Sequence, residues 1–295
     1  MSTPLPRKLP EPPFRRVAVL GLGLVGGSLA RGLTRVLGSS DGSIPVAVVG
    51  WTPDAADALA AWEHGVLSEP VTTREAALAD ADLVVLAAPL AASVDLMDVV
   101  ARDAPSEATV TDVVSLKAPL ARAAVTAGLA ARWVGSHPMA GAEASGFGAS
   151  RDDLFGDATV WTTSAGAEPH RVDAVHALWT SLGGHPVAIG ADEHDRLMAL
   201  VSHLPQLASN AVAEVLAEAG IAPERLGPGG RDVTRLAASS PEMWGDLLRE
   251  APPELAAALR NLAGSLAGLA DHLERGDVHT IVRAMERTRD WSAGP

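Results

Sequence analysis

The segment Gly21-Leu22-Gly23-Leu24-Val25-Gly26 constrains the fold more than any other part of the chain. It follows at once on the apolar run Arg16-Val17-Ala18-Val19-Leu20, which reads as a short buried strand, and residues 27–37 beyond it read as a helix. Three glycines at this spacing mean little alone; between a strand and a helix each has a physical task. Gly21 permits the tight turn, Gly23 lets the backbone approach a pyrophosphate, and Gly26 lets helix and strand pack closely. The helix N-terminus then offers unpaired N–H groups and the positive end of its dipole to phosphate. Gly21, Leu22, Gly23, Leu24, Val25 and Gly26 are therefore candidates for binding a dinucleotide. The alternative is a glycine turn that binds nothing.

The pattern continues in the same style. Residues 46–50, 82–87 and 109–112 read as strands, with helices over 54–64 and 93–102 between them, and Ala88-Pro89 closes the third strand beside the glycine loop. Strands alternating with helices imply parallel pairing and right-handed crossovers, the pattern of a Rossmann-like doubly wound sheet. The apolar stretches 132–135, 159–163 and 185–189 extend that sheet. After about Asp192 the chain changes character: residues 193–217, 232–238, 243–249, 253–274 and 278–291 all carry helical periodicity. At 295 residues the chain is long enough for two domains. The expected organisation is a disordered leader over 1–14, an α/β dinucleotide-binding domain over 15–190 and an all-α C-terminal domain over 191–295.

Charge and composition exclude several classes of function. A net charge of −13 argues against nucleic acid or an anionic membrane as partner, because phosphate surfaces need basic patches. Without cysteine, disulfides and thiolate metal sites are ruled out, and no metal site is read. The proline-rich start lacks the apolar core of a signal peptide, and no apolar run reaches the length of a membrane span. These features fit a soluble, cytoplasmic protein.

The end of the second strand leaves the cofactor undecided. Enzymes that use NAD usually place an acid there for the ribose hydroxyls. This chain has Trp51-Thr52-Pro53-Asp54, so the expected acid position is the neutral Thr52. Asp54 either reaches the ribose or starts the next helix as its cap. A missing acid permits the 2′-phosphate of NADP, yet no arginine stands beside Thr52 in the sequence. NAD and NADP both stay open.

Four further segments share a family resemblance: Thr111-Asp112-Val113-Val114-Ser115-Leu116-Lys117, Gly135-Ser136-His137-Pro138-Met139-Ala140-Gly141-Ala142-Glu143, Ser202-His203-Leu204-Pro205, and Gly229-Gly230-Arg231-Asp232-Val233-Thr234-Arg235 leading to Ser240-Pro241-Glu242-Met243-Trp244. In order and spacing they resemble the prephenate/arogenate dehydrogenase family over roughly residues 16–291. The His-Pro-Met-Ala-Gly stretch is the most diagnostic. The resemblance implies oxidative decarboxylation of a cyclohexadienol that carries a ring carboxylate opposite a hydroxyl. Aromatisation drives such a reaction, so the protein's tasks are to align the hydride with a nicotinamide and to assist the hydroxyl proton. A neutral histidine suits the second task, its ordinary pKa of roughly 6.5 lying near working pH.

By this resemblance the histidine is His137, and Ser115 hydrogen-bonds the same hydroxyl, with a helix N-cap as the alternative role for Ser115. Lys117 either adds positive potential to the substrate site or sits on a solvated helix face. Arg235 matches the arginine that grips the ring carboxylate, guanidinium offering bidentate geometry that lysine lacks. Arg231, four residues earlier, serves the second anion or a neighbouring chain. His203 matches a histidine lining the pocket. Three residues on, where some prephenate-preferring members carry another histidine, this chain has Gln206, whose amide can donate to the ketone of prephenate but gives arogenate's ammonium no carboxylate. Trp244 matches a tryptophan reaching the pocket from a partner subunit, with core packing as the alternative, and Glu143 reads as a structural or dimer-contact carboxylate.

The resemblance further implies a homodimer through the helices. Competing readings are an arogenate or dual-substrate dehydrogenase, a β-hydroxyacid dehydrogenase and a nonenzymatic dinucleotide sensor. The β-hydroxyacid class uses a lysine in its helical domain, and residues 191–295 contain none. The helical pattern running to the end leaves no room for a regulatory module, so any inhibition by tyrosine is expected to be competitive.

Overall fold

The computed structural model describes residues 13–37, 46–141 and 144–294. These fall into two compact units, one running through Asp195 and including Ser239–Glu250, the other made of Arg196–Ala238 and the chain from Ala251 onward.

The first unit is built on a seven-stranded sheet of order β2-β1-β3-β4-β5-β6-β7. Its strands are β1 Arg16–Leu20, β2 Ala47–Trp51, β3 Leu83–Leu86, β4 Thr109–Asp112, β5 Trp133–Pro138, β6 Thr159–Ser164 and β7 His185–Ala188. Helices α1 Leu24–Leu37, α2 Ala55–Glu63, α3 Arg74–Leu78, α4 Leu90–Asp103, α5 Ala118–Thr126 and α6 Pro169–Ser181 connect them. Strands β1 to β4 are almost wholly buried, as an apolar strand covered on both faces must be. One core cluster gathers Leu22, Leu29, Val48, Phe147, Phe155 and Trp179; another gathers Leu20, Val49, Leu96, Leu120 and Trp133. Because β1 pairs with β2 on one side and β3 on the other, the strand order reverses at the carboxyl ends of β1 and β3, where doubly wound sheets bind ligands.

The sheet departs from the all-parallel expectation at β6, which pairs antiparallel to β5. A parallel return needs a crossover of a dozen or more residues, usually a helix. Between these strands the described residues form only the 3₁₀ turn Phe147–Ala149, so the chain comes back along the neighbouring edge. Phe147, Leu154 and Phe155 of this connection bury themselves in the core, and Asp57 of α2 accepts from the Phe147 amide at 2.9 Å.

The expected leader lies outside the described residues except at its end. Phe14, the last residue of that segment, is buried in the core. Another segment also groups differently. Helix α10, Pro241–Arg249, read with the helical part from sequence, packs with the sheet unit: Leu247 is buried among α4 and α5 side chains, and Trp244 lies against the same cluster.

The division between the units falls within α7, Ala191–Met198. The second unit then starts with a π-helical turn, Ala199–His203, that leads into α8, Leu204–Glu218. Pro205 explains the turn: proline donates no N–H and its ring crowds the preceding turn, and one widened turn absorbs both effects. Helix α8 packs against α9, Pro228–Thr234, against the 3₁₀ turn Arg235–Ala238 and against α11, Pro253–Glu274; α12, Val278–Ser292, packs on α11. Helices α11 and α12 leave Leu266, Leu269, Leu273, Val278, Val282, Met285 and Trp291 exposed. Among the described residues no helix is long and apolar enough to cross a membrane.

Candidate active site

Gly21 takes φ +109°, and its amide donates to the Trp51 carbonyl at 2.7 Å, so the turn closes tightly across the ends of β1 and β2. A Cβ at Gly21 would stand 2.4 Å from the Ala87 carbonyl oxygen, and one at Gly26 would stand 2.0 Å from the Gly21 oxygen. No side chain fits at either position. At Gly23, by contrast, a Cβ would meet nothing within 4 Å, which leaves the backbone open to an approaching pyrophosphate. Leu22 is fully buried, and Leu24 and Val25 pack against the same core, so these three side chains hold the turn in place. Ala88 and Pro89 stand at the head of α4, where their carbonyls accept from the Ser93 hydroxyl at 2.9 Å and the Ser93 amide at 2.8 Å. The residues at this switch point therefore fit a dinucleotide.

Asp54 is the N-cap of α2, its carboxylate accepting from the Ala56 amide at 2.9 Å. Thr52 is partly buried just past β2. Near this strand end the Arg74 guanidinium lies 5.5 Å from the centre of the Trp51 ring.

Farther along the sheet, His137 is carried near the end of β5, paired in register with Trp161 of β6. Its neighbour Ser136 is fully buried, its hydroxyl within 3.0 Å of the Thr111 hydroxyl and accepting from Trp179 Nε1 at 2.9 Å. The Ser136 carbonyl accepts from Lys117 Nζ at 2.6 Å. Lys117 is thus neither a substrate contact nor on a solvated face. It is fully enclosed and paired with Asp112, which also accepts from the Val114 amide and Trp133 Nε1. Burial pushes the Asp112 carboxyl up and the Lys117 ammonium down, each opposed by attraction to the other. Ser115 stands partly buried on the loop this pair fixes, and it does not cap the next helix, which begins three residues later at Ala118 with Lys117 in the cap position.

Two residues that the sequence did not single out complete the arrangement. His137 Nδ1 lies 2.9 Å from His194 Nε2, and His194 Nδ1 lies 2.7 Å from Asp195 Oδ1. Asp195 also accepts from the Lys117 amide at 2.8 Å and the Ala118 amide at 2.9 Å, closing off the N-terminus of α5. His194 is completely buried.

In the helical unit, His203 ends the π turn and is buried. Gln206 is buried as well, and its amide nitrogen donates to Asn210 Oδ1 at 2.8 Å and to the Leu236 carbonyl at 2.7 Å. Both amide protons are thereby used inside the unit, which removes the donor that the sequence reading assigned to a substrate ketone. Arg231 lies in α9 and Arg235 opens the following 3₁₀ turn, both exposed, so the pair sits on consecutive helical turns. Trp244 packs against its own chain's core, the simpler of its two expected roles. Glu143 lies outside the described residues.

Comparison with known proteins gives a consistent result. The family profile described as prephenate dehydrogenase, nucleotide-binding domain, matches residues 42–188, and the prephenate dehydrogenase dimerization domain matches 190–287. A prephenate dehydrogenase of Bacillus subtilis is 27% identical over 286 residues, covering 94% of this chain and 75% of that protein. A cyclohexadienyl dehydrogenase of Zymomonas mobilis is 28% identical over 271 residues, 87% of each. The crystal structure of prephenate dehydrogenase from A. aeolicus, in complex with hydroxyphenyl propionate and NAD+, superimposes with a TM-score of 0.84 at 26% identity, covering 94% of this chain and 97% of that one.

Proposed function

The chain belongs to the prephenate/arogenate dehydrogenase family, and on that premise we propose that it oxidatively decarboxylates prephenate to 4-hydroxyphenylpyruvate in the biosynthesis of tyrosine. When bound, NAD or NADP supplies the nicotinamide that accepts the hydride. The glycine turn Gly21–Gly26, with Thr52, Ala88 and Pro89 at the neighbouring strand ends, holds that cofactor. His137 accepts the proton of the ring hydroxyl, and Ser115 hydrogen-bonds the same oxygen. Arg235 grips the ring carboxylate in bidentate fashion, Arg231 adds positive potential for the second carboxylate, and His203 lines the substrate pocket.

The observation that carries this reading is the placement of His137. It is held on a buried strand by a locked Ser136, with its Nδ1 engaged by a buried histidine that is itself held by a carboxylate. A histidine so restrained has little to gain from the restraint unless its other ring nitrogen must be aimed. The protein acts in the cytoplasm as a homodimer joined through its helical unit. The dimerization-domain match and the exposed apolar residues of α11 and α12 support that assembly.

Arogenate is the second reading, since the internal bonds of Gln206 leave it no donor to favour a ketone. An assay of prephenate and arogenate, each against NAD and NADP, tests both choices through absorbance of the reduced nicotinamide. Turnover of prephenate is expected. Turnover of arogenate alone would transfer the assignment to it, and binding of cofactor with no turnover of either substrate would mark a nonenzymatic sensor.

A further inference from the structure

We propose that His194 is a positioning residue that sets the tautomer of His137 and so makes its Nε2 the proton acceptor. The inference rests on the reading of His137 as the group that takes the hydroxyl proton. It follows from a chain of bonds anchored on a carboxylate that accepts two helix amides.

The chain is anchored at the N-terminus of α5. Asp195 Oδ1 accepts from the Lys117 amide and Oδ2 from the Ala118 amide, at 2.8 and 2.9 Å. Two helix-terminal amides with no partner inside the helix, and the positive end of its dipole, make Asp195 an acceptor there. Lys117, held by Asp112 on its other side, adds further positive potential at Asp195. Across the 2.7 Å contact the donor must therefore be His194 Nδ1–H.

His194 has no exposed surface, so a second proton would have to be carried as a charge out of reach of water. Asp195 on its other side already shares its oxygens with the Lys117 and Ala118 amides. A neutral His194 keeps its single N–H on Nδ1 and a lone pair on Nε2. That lone pair can only accept, so the donor across the 2.9 Å contact is His137 Nδ1–H. The rings meet edge to face, with centroids 5.1 Å apart and planes at 73°, which allows the bond and rules out a parallel stack. With its one proton on Nδ1, neutral His137 is left with the lone pair on Nε2, the state a general base requires. The opposite tautomer would offer a proton where one has to be accepted. His194 touches no reacting atom in this scheme; it acts wholly through His137.

The test uses the full-length protein labelled with ¹⁵N-histidine, its signals assigned from the differences made by His137→Asn and His194→Asn. At neutral to mildly alkaline pH, His137 should show a protonated Nδ1 and an unprotonated Nε2. A protonated Nε2 on His137, or a doubly protonated His194, would overturn the proposal. Kinetics give an independent readout. His194→Phe removes both nitrogens at similar volume and should lower kcat by roughly ten- to a hundredfold with KM within about twofold, the scale of a slightly misaligned catalytic group. An unchanged kcat in a folded His194→Phe protein would overturn the proposal, and so would an unchanged kcat in folded His194→Asn. If the wild-type protein turned over neither prephenate nor arogenate, the functional reading would fail, while the ¹⁵N spectrum would still decide the tautomer.

Discussion

Lys117 Nζ donates to the carbonyl oxygen of Ser136, the residue immediately before His137, while its charge is neutralised by Asp112 on the neighbouring strand. One ammonium group thus ties the loop that carries Ser115 to the strand that carries His137, and its own backbone amide is one of the donors to Asp195. Lys117→Met would leave the Asp112 carboxylate buried without its counter-charge. Breaking a buried pair in this way typically costs about 3–5 kcal/mol. The penalty should depend on pH. Burial already pushes Asp112 upward, and loss of the lysine removes an opposing influence, so the folded carboxyl titrates above its unfolded value. Such a group supports the fold below the unfolded pKa and withdraws that support as pH rises through the folded one. The difference in urea midpoint between wild type and Lys117→Met should therefore be larger at pH 8 than at pH 5. Equal differences would show that Asp112 is not the group left stranded. Lys117→Arg should not rescue the variant, because a planar guanidinium cannot replace a compact ammonium between a carboxylate and a carbonyl.

The glycines of the cofactor turn should separate into two kinds. Gly26→Ala puts a methyl group 2.0 Å from the Gly21 oxygen and should lower the melting temperature, at about 1–3 kcal/mol of overpacking. Gly23→Ala meets no protein atom within 4 Å, so its melting temperature should match wild type while dinucleotide affinity falls about tenfold or more. Calorimetry with and without cofactor distinguishes them; intact cofactor binding by Gly23→Ala would place the pyrophosphate elsewhere.

At the end of β2, Asp54 and Thr52 should likewise part company. Asp54→Ala removes the α2 cap and should destabilise the protein by roughly 0.5–2 kcal/mol, with little change in the ratio of NAD to NADP activity. Thr52→Asp introduces a charge that repels a 2′-phosphate and should move that ratio toward NAD. A changed ratio in Asp54→Ala would reverse the two roles.

His137 and Arg235 should differ in which kinetic constant responds. His137→Asn is expected to lower kcat by about two to four orders of magnitude, the range for loss of a general base, with KM little altered. Arg235→Gln should mainly raise KM, by about ten- to a hundredfold for a lost charged hydrogen bond of roughly 1.5–3 kcal/mol. Steady-state kinetics on prephenate resolve the two patterns, and normal turnover by His137→Asn would remove the base from the mechanism.

Residues whose task is local were legible in the sequence. The glycine turn and the strands around it declare themselves because a turn and an apolar run are short-range features, and Asp54 was readable as a cap for the same reason. His137 was visible through the motif around it. The relay behind it was not. His194 and Asp195 lie within α7, whose periodicity reveals a helix but not what its polar residues touch, and they meet His137 and the α5 terminus only when positions 57 and 77 or more residues apart are brought together. Gln206 misled for a related reason, since its donors are used partly by a carbonyl 30 residues away. The antiparallel β6 could have been suspected from the missing helix between residues 139 and 158. Lys117 left a compositional trace: it and Lys8 are the only lysines among 23 basic residues.

That scarcity, joined to complete burial, makes Lys117 a chemical clock for the sheet. An ammonium paired with Asp112 and enclosed by protein cannot be acylated while β4 and β5 stay together. Amine-directed reagents will reach it only during local opening, so the rate at which this one site is modified, followed by peptide mass, reports how often the strand beneath His137 comes loose.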